Sequence, residues 1–175
     1  MAGEQSCNIV KLLQFKNFMI STQDKEYLKL AIEQAKKSVA KGGFPAGAIV
    51  VKDGEIIGRG VATGNLLHDP TSHDGIASIR DACSKLATTD ITGATMYCSL
   101  QPCLMCFSAS LWAGISTIIY ECGQDKVSPE YYTGTTDMVK VSQESRNPIE
   151  LIHVPEMEQE ALDVVKGWEE KMVII

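Results

Sequence analysis

The chain has 175 residues, 45% of them hydrophobic, and a formal net charge of −6. That length suits one domain with a single core, and the composition excludes a low-complexity or disordered polymer. The acidic balance argues against a broad phosphate-binding surface, and no apolar run approaches the roughly 18–20 residues that cross a bilayer.

Residues 1–20, MAGEQSCNIVKLLQFKNFMI, are amphipathic with scattered charges and read as an N-terminal arm, helical or partly ordered. They lack the uninterrupted apolar segment and small-residue cleavage site of a secretory signal. The expected location is cytoplasmic, where the six cysteines serve as reduced thiols or metal ligands, not as a disulfide framework. Ser21 and Asp24 form a capping-box-like start. Leu28, Ile32, Ala35 and Val39 then recur at helical spacing to about Lys41, and Gly42-Gly43 ends the helix. AGAIVV (46–51) is a short apolar strand, Asp53-Gly54 a hairpin turn, and EIIGRGVA (55–62) the returning strand.

TGNLLHDP reads as a loop, followed by a helix from Thr71 or Ser72 with Ile76, Ile79, Cys83 and Leu86 toward the core. ATMYCS (94–99) is a strand, QP a tight break, CLMCFSASLWAG (103–114) a helix and STIIYEC (116–122) a buried strand. Residues 123–148 are polar and read as irregular, IELIHV (149–154) as a fifth strand, and 156–171 as a final helix weakened by Gly167. Strands separated by helices imply parallel crossovers, whereas the first pair is antiparallel. The expected fold is α/β: a mixed five-stranded sheet with helices on both faces, in one domain spanning 1–175. Phe107, Met105 and Trp112 sit at spacings that suit core packing.

The chemistry concentrates in Pro102-Cys103-Leu104-Met105-Cys106. Two thiols at i and i+3 share one face of a helix's first turn, where the helix N-terminus favours thiolate. Three readings are open: a thioredoxin-like redox pair, a closed structural zinc site with a fourth ligand from Cys98, Cys122 or His68, and an open catalytic site with one histidine. His73 favours the third. It starts the preceding helix, and the two helix starts can converge at one end of the sheet. Three ligands with one open position lower the pKa of a zinc-bound water toward neutrality.

HDG…PCLMC resembles the H-x-E…P-C-x-x-C signature of the cytidine deaminase superfamily. The resemblance runs from about Phe44 to Tyr120 and includes the hairpin PAGAIVVKDGEIIGRG and the loop DPTSH. IRDACSKL and SLWAGI are more similar to the branch of bacterial guanine deaminases and nucleoside deaminases than to the tRNA-editing branch. The resemblance implies a cytidine-deaminase-like three-layer α/β/α fold, with residues 123–175 as a family-variable region, and most often a homodimer. It implies Zn2+ held by His73, Cys103 and Cys106, a Cys103 backbone amide that positions water, and hydrolytic loss of an exocyclic amine as ammonia.

Two positions depart from the pattern. Gly75 stands where the family carries a proton-shuttling Glu, which is not a ligand. The neighbouring Asp74 is shorter and points about 100° away around the helix. Ala62 stands where many members have an Asn that binds base or sugar; Asn65 on the same loop is a candidate substitute, although turn chemistry also explains it. Phe107 is a candidate pocket contact, and the tyrosines of EYYTG (130–134) and Trp168 are weighed as pocket-closing or packing residues. The reading is a deaminase of a small nucleobase or nucleoside of guanine or cytosine type, impaired at Gly75 by natural loss or by deliberate inactivation. The alternatives are a non-catalytic zinc-containing base-binding protein and a tRNA adenosine deaminase. Against the last stands the acidic tail, with Glu156, Glu158, Glu160, Glu169 and Glu170, so nucleic acid is not an expected partner; the lack of a long apolar run makes a membrane none either.

Overall fold

The structure, a computed structural model, describes residues 20–172. The expected N-terminal arm, with Cys7, lies outside the described residues. The first helix, α1 (Thr22–Ala40), opens on the anticipated capping box: the Asp24 N–H donates to Ser21 Oγ at 3.0 Å and the Ser21 N–H to Asp24 Oδ2 at 2.9 Å. Leu28, Ile32 and Ala35 are buried, while Ser38 takes the inner place expected of Val39 and donates from its hydroxyl to the Ala62 carbonyl.

Strands β1 (Phe44–Lys52) and β2 (Glu55–Ala62) form the expected hairpin. Asp53 and Gly54 both adopt positive φ, 52° and 80°, as a two-residue turn matched to strand twist requires. A four-residue helix, α2 (Gly64–Leu67), occupies the segment read as a loop. Then follow α3 (Asp74–Leu86), β3 (Thr95–Leu100), α4 (Leu104–Ala113) and β4 (Thr117–Cys122). The segment read as irregular contains two 3-10 turns and α5 (Met138–Glu144), which Asp137 caps through its side chain. The described residues end with β5 (Glu150–His153), a 3-10 turn and α6 (Glu158–Met172). Among the described residues no helix is long and apolar enough to cross a membrane.

The sheet order is β2-β1-β3-β4-β5. β1 is antiparallel to β2 and β3, while β3, β4 and β5 run parallel. One layer of helices, α1 and α6, covers one face; α3, α4 and α5 cover the other. This is the mixed three-layer α/β/α arrangement.

Helix α3 differs from its expected orientation. Its buried residues are Gly75, Ser78 and Ala82, not Ile76, Ile79, Cys83 and Leu86; Leu86 is 46% exposed, and Ile79 and Cys83 pack only at the core's margin. The cause lies on β2. A methyl group at Gly60 would collide with the Asp74 carbonyl, and one at Gly58 with the Ser78 carbonyl. Helix and strand therefore approach backbone to backbone, which only small residues permit. This close approach fixes where α3 begins, and so where His73 stands.

Candidate metal centre and active site

His73 and Cys103 occupy matching positions. Each precedes the first turn of its helix in extended backbone, and neither side chain caps its own helix. The loop before His73 is folded around Asp69, which accepts from the Thr71 N–H at 2.8 Å and the Thr71 hydroxyl at 2.7 Å. Arg80 reaches back from α3 to the Thr71 hydroxyl at 3.0 Å. Cys106 lies one turn into α4 and is buried. The anticipated convergence of two helix starts is present.

Cys103 Sγ is 3.4 Å from His73 Nδ1 and 3.7 Å from Cys106 Sγ. The three donor atoms lie within 4.8 Å of one another, a group that could hold a metal ion. Tetrahedral zinc, with Zn–S about 2.3 Å and Zn–N about 2.0–2.1 Å, sets two sulfurs about 3.8 Å apart and sulfur and nitrogen about 3.6 Å apart. The observed spacings match both. The hydrogen bond with Cys106 pulls the Cys103 thiol down to about 4; burial opposes this, and the bond to His73 reinforces it. Two helix N-termini aimed at one point further favour anionic ligands there.

A side chain at position 75 would enter this centre. A Cβ built on Gly75 would lie 3.0 Å from Cys106 Cβ, 3.1 Å from Cys106 Sγ and 3.6 Å from Met96 Sδ. The position expected to carry the proton shuttle thus faces the metal donors and holds no functional group. Asp74 is half-buried at the same floor; burial raises its carboxyl to about 6, against the opposing pull of His73.

Above the donors opens a mostly apolar cavity of about 640 Å³. Ala62 and Asn65 line it, but the Asn65 amide donates to the Gly42 carbonyl at 2.8 Å, as a turn residue would. Tyr131, Tyr132 and Trp168 also line it. Phe107 does not: it is fully buried in the core beside Met96 and Ile118. The expectation of pocket contact by Phe107 is corrected. It follows Cys106 on the helix face turned to the sheet, with Ser110 and Ala113. Trp112 is corrected in the opposite direction: off that face, it is 91% exposed.

Two residues escaped the sequence reading. Phe44 lines the cavity; its signal was its position two before the inward-facing Ala46 on one strand. Glu121, inside an apolar strand, is fully buried, and neither carboxyl oxygen has a hydrogen-bond partner among the described residues. Burial raises its carboxyl to about 9. Cys83, Cys98 and Cys122 are free thiols.

The sequence model of the cytidine and deoxycytidylate deaminase zinc-binding region matches residues 21–122. A tRNA-specific adenosine deaminase of Aquifex aeolicus is 41% identical over 97 residues, 55% of this chain and 64% of that protein. A guanine deaminase of Bacillus subtilis is 38% identical over 95 residues, 54% of this chain and 61% of that protein. The chain thus spans less than two thirds of either relative's length. These identities do not support the expected preference for the guanine deaminase branch. A solved tRNA deaminase that edits adenosine to inosine at the wobble position superposes with a TM-score of 0.68 at 27% identity, over 80% of this chain and 99% of that one. The solved Bacillus subtilis guanine deaminase gives 0.59 at 28% identity, over 83% and 93%. The match spans both helix starts and the three side chains that could hold a metal ion, zinc being the family's metal, and the chain belongs to the family of the cytidine and deoxycytidylate deaminase zinc-binding region.

Proposed function

We propose that this chain carries a site for the hydrolytic deamination of a small nucleobase or nucleoside of guanine or cytosine type, and that Gly75 leaves that site slow or confined to binding. The observation that carries the reading is the convergence of His73, Cys103 and Cys106 on the floor of a cavity into which position 75 also points. His73, Cys103 and Cys106 would hold zinc with one position open, and the metal would there supply a nucleophilic water near neutral pH. The chain's own residues do the rest. The N-termini of α3 and α4 favour the negative charge that develops at the floor. The Cys103 backbone amide orients water. Water supplies the oxygen that replaces the exocyclic amine, and ammonia leaves. Gly75 offers no group to carry the protons that this exchange requires.

A second reading is tRNA adenosine deamination, favoured by the 41% identity to a tRNA-specific relative. A non-catalytic base-binding protein is the third. The test is ammonia release by zinc-loaded Gly75→Glu protein from free bases, nucleosides and tRNA offered in parallel. Turnover of small molecules supports the proposal. Turnover of tRNA alone establishes the second reading, and none from any substrate the third.

We further place the chain in the cytoplasm, where its thiols stay reduced, and as a homodimer. Met105, Ala109 and Trp112 form a stripe on α4 at helical spacing, and Trp112 is 91% exposed. An aromatic of that size beside small residues suits a buried contact between copies.

A further inference from the structure

We propose that the ligand of this cavity is an amino-heterocycle bearing a bulky apolar substituent on the side away from its amine, and that Phe44, Tyr131 and Trp168 hold that substituent. The proposal rests on the deaminase reading, which places the amine at the metal donors.

Volume comes first. The cavity measures about 640 Å³. Pockets that enclose drug-sized ligands run about 300–1,000 Å³, and a water in the liquid takes about 30 Å³. A bare base at the floor would leave most of the space to solvent.

The character of that remaining space comes second. Phe44 meets Tyr131 at a centroid distance of 5.1 Å and Trp168 at 5.4 Å, and Tyr131 meets Trp168 at 5.9 Å. All three pairs are edge-to-face, at 75°, 71° and 76°. Each ring is thus fixed by the other two, which makes a preorganised wall. The Tyr131 hydroxyl donates to Glu169 Oε1 at 2.5 Å, tying the loop at residue 131 to α6.

Part of the polar lining is already engaged, while Glu130 and Thr133 also border the cavity. The Asn65 amide serves the Gly42 carbonyl, and the Tyr132 hydroxyl donates to the Gln101 carbonyl at 2.7 Å. Gln101 Oε1 accepts from the Gln124 N–H at 3.1 Å. Ala62 contributes only a methyl group. Against the three rings themselves a polar substituent would give up water without a hydrogen bond in return, whereas an apolar one gains contact with the aromatic wall.

The experiment is calorimetric titration of the zinc-loaded chain with matched pairs. Adenine, guanine and cytosine are each compared with their N9- or N1-benzyl derivatives and with their nucleosides. The benzyl derivative of at least one base should bind tenfold tighter than both the bare base and the nucleoside. Trp168→Ala should remove that advantage, so that the benzyl derivative binds within twofold of the bare base. Because Trp168→Ala can disturb α6, a second readout uses Trp112→Phe protein, in which the benzyl ligand should alter the emission of Trp168. No benzyl advantage for any base, or tighter binding of a nucleoside, overturns the proposal. A benzylpurine with a methyl group in place of the amine separates the two readings: if it binds as tightly as benzyladenine, the wall stands and the placement of the amine at the metal falls.

Discussion

Replacing Gly75 by Glu tests the link between one missing side chain and the chemistry of the site. The new Cβ would meet Cys106 Cβ and Sγ at 3.0 and 3.1 Å, so Cys106 must give by a few tenths of an ångström. Overpacking of this kind costs about 1–3 kcal/mol. Removing a helical glycine returns roughly 0.5 kcal/mol, and a carboxylate in the first turn of α3 about 0.3–1 kcal/mol more. The variant should therefore lose no more than ~2 kcal/mol, small against the roughly 5–15 kcal/mol that holds a domain folded. In return the carboxylate enters beside the metal donors, where proton transfer is worth about 10²–10⁴ in rate. The assay is ammonia release with zinc content matched between parent and variant. A rise of at least about 10²-fold is expected. Equal rates in parent and variant would refute the reasoning, because Gly75 would then be no lesion and the proton carrier would lie elsewhere.

Trp112→Glu should convert a dimer to a monomer at micromolar concentration by light scattering, since truncating a central interface tryptophan costs about 2 kcal/mol or more; a monomeric parent rejects the interface. Glu121 supplies a pH dependence. Its folded pKa of about 9 lies above the reference 4.5, so between those values the folded state holds the proton that the unfolded state has released. Stability from this group is therefore fully present below about pH 4.5 and lost as pH rises toward 9, by at most about 1.4 kcal/mol per unit. Urea unfolding of parent and Glu121→Gln between pH 5 and 9 should diverge in the variant's favour with rising pH; parallel profiles would contradict an ionisable buried Glu121.

What was legible in the sequence was local. Ser21 with Asp24, Asp53-Gly54 and Gly42 declare their caps and turns because those geometries depend on neighbouring residues alone. The metal donors were legible for a related reason: His73 and the Cys103–Cys106 pair carry chemistry that few other roles require, each at a helix start. What depended on tertiary contact was not legible. The face that α3 buries is set by Gly58 and Gly60 on a different element, so the periodicity of Ile76, Ile79 and Cys83 pointed the wrong way. Phe107 and Trp112, five residues apart on α4, both suit core packing by size and hydrophobicity, yet only Phe107 is buried. The aromatic wall joins Phe44, Tyr131 and Trp168 from three distant segments, and no spacing announces it. The polar run around residue 138 concealed α5, although Asp137 ahead of Val139 and Val141 was a usable cap signal.

The central claim is an open zinc centre made by one histidine and two cysteines. X-ray absorption at the zinc edge of the purified, zinc-loaded chain measures it most directly. The account predicts about one zinc per chain, with two sulfurs at about 2.3 Å and two nitrogen or oxygen neighbours at about 2.0–2.1 Å. A shell of three or four sulfurs would mark a closed structural site that recruits Cys98 or another thiol, and would contradict it, as would full zinc retention after Cys103 and Cys106 are both replaced by Ala.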